Sequence, residues 1–272
     1  MSTADPLARH AVTVQGPADA RPLVFAHGFG CDQGMWRHVA PAFADRHRVV
    51  TFDFPGAGGS DPAAYDELRH SHLDGYATDL LEVVGALDLQ DAVLVGHSVA
   101  AMIGALATIA EPERFAGLVM VGPSPRYLDD DGYTGGFGRE DIDDLLGAIA
   151  GNYVGWSATM APAIVGNPHR PELGDELTEA FCRMDPEVAR RFAQATFLSD
   201  NRADLPHVPV PALVLQCRED IIAPLEVGAY VAEQVPDATL VVLDATGHCP
   251  QLSAPEETAA AIRAWLDERM AA

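Results

Sequence analysis

Gly96-His97-Ser98-Val99-Ala100 sits between a run of valine, leucine and alanine and a helix-compatible stretch of small residues, and a serine in that setting can be a nucleophile. A sharp turn from strand into helix holds such a serine in strained backbone geometry. It presents the hydroxyl and aims the helix's first N–H groups at any negative charge that forms there. The segment departs from the G-x-S-x-G pattern only at its last place, where Ala100 adds one methyl.

A serine hydroxyl is a weak nucleophile at neutral pH, so it needs a base within hydrogen-bond reach and an acid to orient that base. Behind an elbow of this kind, acid and histidine follow along the chain in that order. Asp220 follows an apolar run ending at Gln216, and His248 follows one ending near Leu243, which places both on loops at the sheet edge where Ser98 emerges. Glu219 and Asp244 are the rival acids. Asp220 is favoured because its neighbour Glu219 points elsewhere and Asp244 lies at the end of the histidine's own strand. His207 is the rival base, but it precedes a strand and so falls at the opposite edge.

Acyl transfer puts negative charge on a former carbonyl oxygen, which calls for backbone donors fixed in advance. The Val99 N–H is one candidate. The other is the Phe29 N–H in His27-Gly28-Phe29-Gly30, directly after the apolar run 22–26, where glycines permit a close turn. Gly56-Ala57-Gly58-Gly59-Ser60 lacks the third glycine of a dinucleotide fingerprint and no G-x-x-x-x-G-K-[ST] exists, so it reads as a turn. No His, Asp and Glu spacing argues for a metal, and no cofactor is expected.

These residues need a scaffold, and the chain's pattern supplies one. Short apolar runs at 10–15, 22–26, 48–52, 92–95, 117–121, 212–216 and 239–243 alternate with helical stretches at 73–87, 99–110, 224–234 and 255–267. That alternation predicts an α/β fold with a mostly parallel sheet and helices on both faces. Residues 123–205 break it. They show no clear strand, open with Asp129-Asp130-Asp131-Gly132 and Gly135-Gly136, and include a helix signalled by Asp185 as N-cap and Pro186 at the first position. The expected organisation is a core of residues 1–122 and 206–272, with 123–205 inserted as a helical lid over the carboxyl edge of the sheet, where ligands bind in open α/β sheets.

Composition narrows the partners. The 272 residues, 48% of them apolar, can bury a continuous core, and a formal charge of −23 repels polyanions and anionic lipid. Nucleic acid and membrane surfaces are therefore poor partners, and a small neutral substrate is a good one. The apolar run 92–110 is long enough to resemble a membrane span, but it carries His97, Ser98 and two glycines and suits a buried strand turning into a buried helix. The polar start, Met1 to Ala20, lacks secretory-signal features, so a cytoplasmic location is expected. Cys31, Cys182, Cys217 and Cys249 show no metal or disulfide spacing and read as reduced packing thiols.

Gly28-Phe29-Gly30-Cys31-Asp32-Gln33, Gly96-His97-Ser98-Val99, Gly122-Pro123-Ser124-Pro125-Arg126-Tyr127, Gly135-Gly136-Phe137, Asn152-Tyr153, Asp220-Ile221-Ile222-Ala223-Pro224 and Gly247-His248-Cys249-Pro250 together resemble the RsbQ type of α/β-hydrolase. These bacterial stress-signalling hydrolases are similar to the plant karrikin and strigolactone receptor hydrolases. The likeness runs from about His10 to the last helix, lid motifs included. It implies an α/β-hydrolase fold with four lid helices in a V, the triad roles for Ser98, Asp220 and His248, and an oxyanion hole from Phe29 and Val99. It also implies a closed, hydrophobic pocket lined by Phe29, Tyr127, Phe137, Met160, Phe197 and Ile221; Met160 stands where plant relatives tend to carry an aromatic.

The expected activity is hydrolysis of a small hydrophobic ester or lactone through an acyl-enzyme. The alternative is a ligand-sensing module that binds and regulates a phosphatase-type signalling protein with little turnover. Other Ser-triad chemistry, such as carbon–carbon bond hydrolysis, fits the same residues. Dehalogenase and epoxide-hydrolase chemistry do not, because their elbow nucleophile is a carboxylate.

Overall fold

Seven strands form one sheet in the computed structural model, which describes residues 5–270. They are β1 (Thr13–Gln15), β2 (Pro22–Ala26), β3 (Arg48–Thr51), β4 (Ala92–His97), β5 (Phe115–Val121), β6 (Ala212–Glu219) and β7 (Ala238–Thr246), in the order β1-β3-β2-β4-β5-β6-β7. Only β1 runs antiparallel, to β3; the other pairings are parallel. The helices are α1 (Pro6–Arg9), α2 (Leu73–Ala86), α3 (Val99–Ala110), α4 (Arg139–Val165), α5 (Pro171–Arg183), α6 (Pro186–Phe197), α7 (Leu225–Gln234), α8 (Pro250–Ser253) and α9 (Pro255–Arg269).

The central strands are apolar throughout because both faces are covered. In β2, Leu23 and Phe25 join Trp36, Val93, Val119, Ile262 and Trp265 on one side, while Val24 and Ala26 join Leu80, Val83, Leu94 and Ile103 on the other. This period of two is what an extended chain between two helical layers requires. The run 92–110 divides at Ser98 into β4 and α3, and among the described residues no helix is long and apolar enough to cross a membrane.

The strand expected from His10 starts only at Thr13, since Asp5 caps a short helix opened by Pro6 and His10 ends that helix. The His10 ring is then buried, with Nδ1–H donating to the Asp53 carbonyl at 3.2 Å. β6 and β7 run past their apolar stretches to Glu219 and Thr246, because backbone pairing continues through side chains that face solvent. This extension carries the chain to the loops that bear Asp220 and His248.

Between β5 and β6 the chain adds no strand to the sheet. Its longest helix, α4, is broken at Asn152, which has φ −157° and ψ 81° and whose side-chain oxygen accepts from the Gly155 N–H. Asn152 thereby caps a second helix, and residues 123–205 hold four helical segments.

Candidate active site

Ser98 has φ 57° and ψ −126°, a conformation that costs a non-glycine residue roughly 1–3 kcal/mol and persists where the surroundings impose it. Here its N–H donates to the Val121 carbonyl at 2.8 Å, and the turn is tight enough that a Cβ at Gly96 would lie 2.4 Å from the Ala100 carbonyl oxygen. Ser98 Oγ is 2.7 Å from His248 Nε2, and His248 Nδ1 is 2.7 Å from Asp220 Oδ2. Both His248 and Ser98 are almost wholly buried.

Asp220 divides its two oxygens. Oδ1 accepts from the N–H groups of Ile222 and Ala223 at 2.8 and 3.0 Å, leaving Oδ2 for His248. Burial opposes its ionisation, but the facing imidazole, the hydrogen bond to it and the two backbone donors outweigh that, holding the carboxyl below its ordinary range. The rival acids lie elsewhere: Glu219 meets Thr246 Oγ1 at 3.3 Å, and Asp244 pairs with Arg218 at the surface. His207 sits in a short turn ahead of β6, at the amino end of the strand.

The backbone of His248 is held from both sides. Its N–H donates to the Ile164 carbonyl near the end of α4, at 2.8 Å, and its carbonyl accepts from His97 Nε2–H, also at 2.8 Å. Gly247, at φ 93°, allows the approach, because a Cβ there would lie 1.8 Å from the Val165 carbonyl oxygen. Burial, with His248 alongside, lowers the His97 imidazole to about 3. A base lowered on folding leaves the unfolded chain with the extra proton between its folded pKa of about 3 and its unfolded value of about 6.5, so stability rises with pH across that window. Replacing His97→Gln is expected to flatten the acid loss of stability by up to about 1.4 kcal/mol per pH unit, read by urea unfolding between about pH 4 and 6. An unchanged slope would show that His97 does not titrate as its burial requires.

Phe29 and Val99 offer backbone N–H groups that have no acceptor among the described residues. Gly28 brings the first of them to the serine, since a Cβ on Gly28 would fall 3.2 Å from Ser98 Cβ. His27, fully buried, accepts the Phe54 N–H at Nε2 (3.0 Å), which leaves Nδ1–H to donate to the Gly28 carbonyl at 2.9 Å. That bond fixes the Gly28–Phe29 peptide plane and with it the direction of the Phe29 N–H. The sequence reading missed His27 and His97 as supports, because nothing in their spacing marks which backbone carbonyl they meet.

An apolar cavity with about 30 Å³ free adjoins Ser98. Phe29, Tyr127, Met160 and Phe197 line it, together with Leu145, Trp156, Ile164, Leu177, Phe181, Thr196, Ile222, Cys31 and Cys249. Two expected lining residues are absent from it. Ile221 is 54% exposed, and Ile222 takes its place, because the turn closed on Asp220 Oδ1 directs the second residue inward and the first outward. Phe137 pairs its backbone with Tyr127 and Asp129, which sends Tyr127 into the cavity and packs Phe137, half-buried, against the surrounding core. The turn after an Asp is a signal the sequence carried; the Phe137 pairing is not.

Three cysteines, Cys31, Cys217 and Cys249, are buried and Cys182 is exposed, against the reading of all four as packing thiols. Burial pushes the Cys249 thiol well up and Cys217 to about 12. A wider groove of about 610 Å³ lies at the amino ends of β2 and β3, near Arg21 and Asp91, which pair with each other; it holds no candidate nucleophile. His10, Asp79 and Glu82 also converge within 4.8 Å, but Arg69 pairs with both carboxylates, Arg9 with Glu82 and His70 with Asp79. Those partners already balance the charge a cation would need.

Residues 23–261 match the alpha/beta hydrolase family. The chain belongs to that family. It is 40% identical over 248 residues to the Karrikin insensitive 2 receptor CA of Petunia hybrida, covering 91% of this chain and 92% of the relative. It is 39% identical to a strigolactone esterase of Arabidopsis thaliana, covering 93% and 94%. Among solved structures, a hydrolase from Oleispira antarctica superimposes with a TM-score of 0.93 at 37% identity, covering 96% of each chain. The chain is thus an esterase-like hydrolase related to plant receptor hydrolases.

Proposed function

We propose that this hydrolase cleaves a small hydrophobic ester or lactone by a Ser-His-Asp acyl-enzyme mechanism. The observation that carries the reading is the continuous chain from Asp220 through His248 to Ser98 Oγ at the wall of an apolar cavity. His248 Nε2 takes the Ser98 proton as Oγ attacks the carbonyl carbon, while Asp220 Oδ2 keeps the other ring proton on Nδ1. The N–H groups of Phe29 and Val99 receive the oxyanion. His248 then protonates the departing alcohol or ring oxygen, and water, activated by the same imidazole, releases the acid. Residues 123–205 act as the lid, and with about 30 Å³ free its helices or side chains must give way as substrate enters.

An alkyl fluorophosphonate, followed by peptide mass spectrometry, tests the nucleophile. Phosphonylation of the peptide containing Ser98 is expected; an adduct only at another residue, or none, overturns the reading.

A signalling role is supported by the receptor names of the relatives and by the hydrogen bond that the His248 N–H donates to the Ile164 carbonyl of α4; the phosphatase-type partner is what the resemblance to the RsbQ type implies. Chemistry at Ser98 and placement of the lid then share one residue. Co-purification of a phosphatase with the tagged protein, in amounts that change with an ester ligand, is expected. Recovery of none with or without ligand would discard the signalling role and leave the hydrolase.

A further inference from the structure

Thr196 lines the cavity from the last turn of α6 and is 1% exposed, yet its Oγ1 has no hydrogen-bond partner among the described residues. The serine and threonine hydroxyls of Ser157, Thr159 and Thr178 on these helices donate to the carbonyls of Tyr153, Gly155 and Gly174, one turn back. Thr196 departs from that habit. A buried hydroxyl without a partner is costly, and the cavity it lines is walled largely by apolar side chains, among them Leu145, Met160, Phe181 and Phe197.

A second hydroxyl in the same cavity is only loosely held. Tyr127 Oη has one partner, Ser98 Oγ, at 3.5 Å, well beyond the usual O–H···O distance of about 2.8 Å, and burial keeps the phenol protonated. The Tyr127 ring packs 4.9 Å from that of Phe197, next to Thr196, so the two hydroxyls belong to neighbouring walls. The cavity is therefore greasy with two unspent donors, one beside the reacting serine and one on α6.

Resting on the hydrolase reading above, we infer that the acyl part of the substrate carries a second oxygen, an ether or carbonyl, that accepts a hydrogen bond from Thr196. A plain hydrocarbon acyl chain would cover the Thr196 hydroxyl without bonding it. A site with such a donor discriminates against the analogue lacking the acceptor, because the loss falls on the site as well as on the ligand.

The test uses p-nitrophenyl hexanoate and its near-isosteres with one ether oxygen replacing carbon 3, 4 or 5 of the acyl chain. For each, kcat/KM is divided by that for hexanoate, which cancels general damage, and the variant's ratio is divided by the wild-type ratio, which cancels intrinsic reactivity. For at least one oxygen position, Thr196→Val is expected to lower the ratio about tenfold, and Thr196→Ser to keep it near wild type. Thr196→Ala, also without a hydroxyl, must show the same loss. Ratios unchanged in both hydroxyl-free variants at every oxygen position overturn the inference alone, provided that hydrolysis depends on Ser98. If Ser98→Ala still hydrolyses the esters, the hydrolase reading falls and takes this inference with it.

Discussion

Ser98→Ala is expected to lower turnover of p-nitrophenyl acetate by about 10⁴-fold or more, because the hydroxyl proposed to form the acyl bond is gone while the remaining donors only bind. The protein should remain folded. Alanine keeps the Cβ, so the strained backbone at φ 57° is neither relieved nor worsened, and the only hydrogen bonds lost are those of Oγ to His248 Nε2 and, weakly, to Tyr127. A melting temperature within a few degrees of wild type would therefore accompany the loss of rate. The same variant separates hydrolysis from sensing. The apolar cavity is intact, so ligand can still bind, and a partner that responds to occupancy would respond to the variant as well. Turnover within tenfold of wild type would show that another residue carries the reaction.

Much of the candidate site was legible in the sequence because its parts are punctuated. Ser98 lies between a β-branched run and a small-residue helix, and both Asp220 and His248 follow runs that have the length and composition of buried strands. Parallel strands buried on both faces announce themselves by unbroken hydrophobicity, which is why β2, β4, β5 and β6 could be placed to within a few residues. Where the reading fell short, long-range packing decided. Side-chain direction in the cavity depends on local turns, as the exchange of Ile221 for Ile222 shows, and on pairing between loops, as with Tyr127 and Phe137. His27 and His97 are supports whose partners are backbone atoms, and a backbone carbonyl has no signature in the sequence. The kink at Asn152 divides a helix whose apolar spacing is continuous across it.

Asp220→Asn is expected to lower kcat by about 10⁴-fold with KM little changed, and the reason lies in how the carboxylate spends its two oxygens. Oδ1 takes two backbone N–H groups and Oδ2 takes His248 Nδ1–H, so both positions must be acceptors. An amide has only one oxygen. Turned toward Ile222 and Ala223 it preserves the loop but points NH₂ at His248, which must then accept at Nδ1 and carry its proton on Nε2. That tautomer cannot receive the Ser98 proton. Turned the other way, NH₂ opposes two backbone donors and the loop is broken. Asp220→Glu, which restores two acceptors on a longer stem, should recover part of the rate. Glu219→Gln and Asp244→Asn should leave kcat within about twofold, since their side chains meet Thr246 and Arg218 and not the imidazole. A large loss from Asp244→Asn, with Asp220→Asn nearly active, would reassign the acid and undo this account of how His248 is oriented.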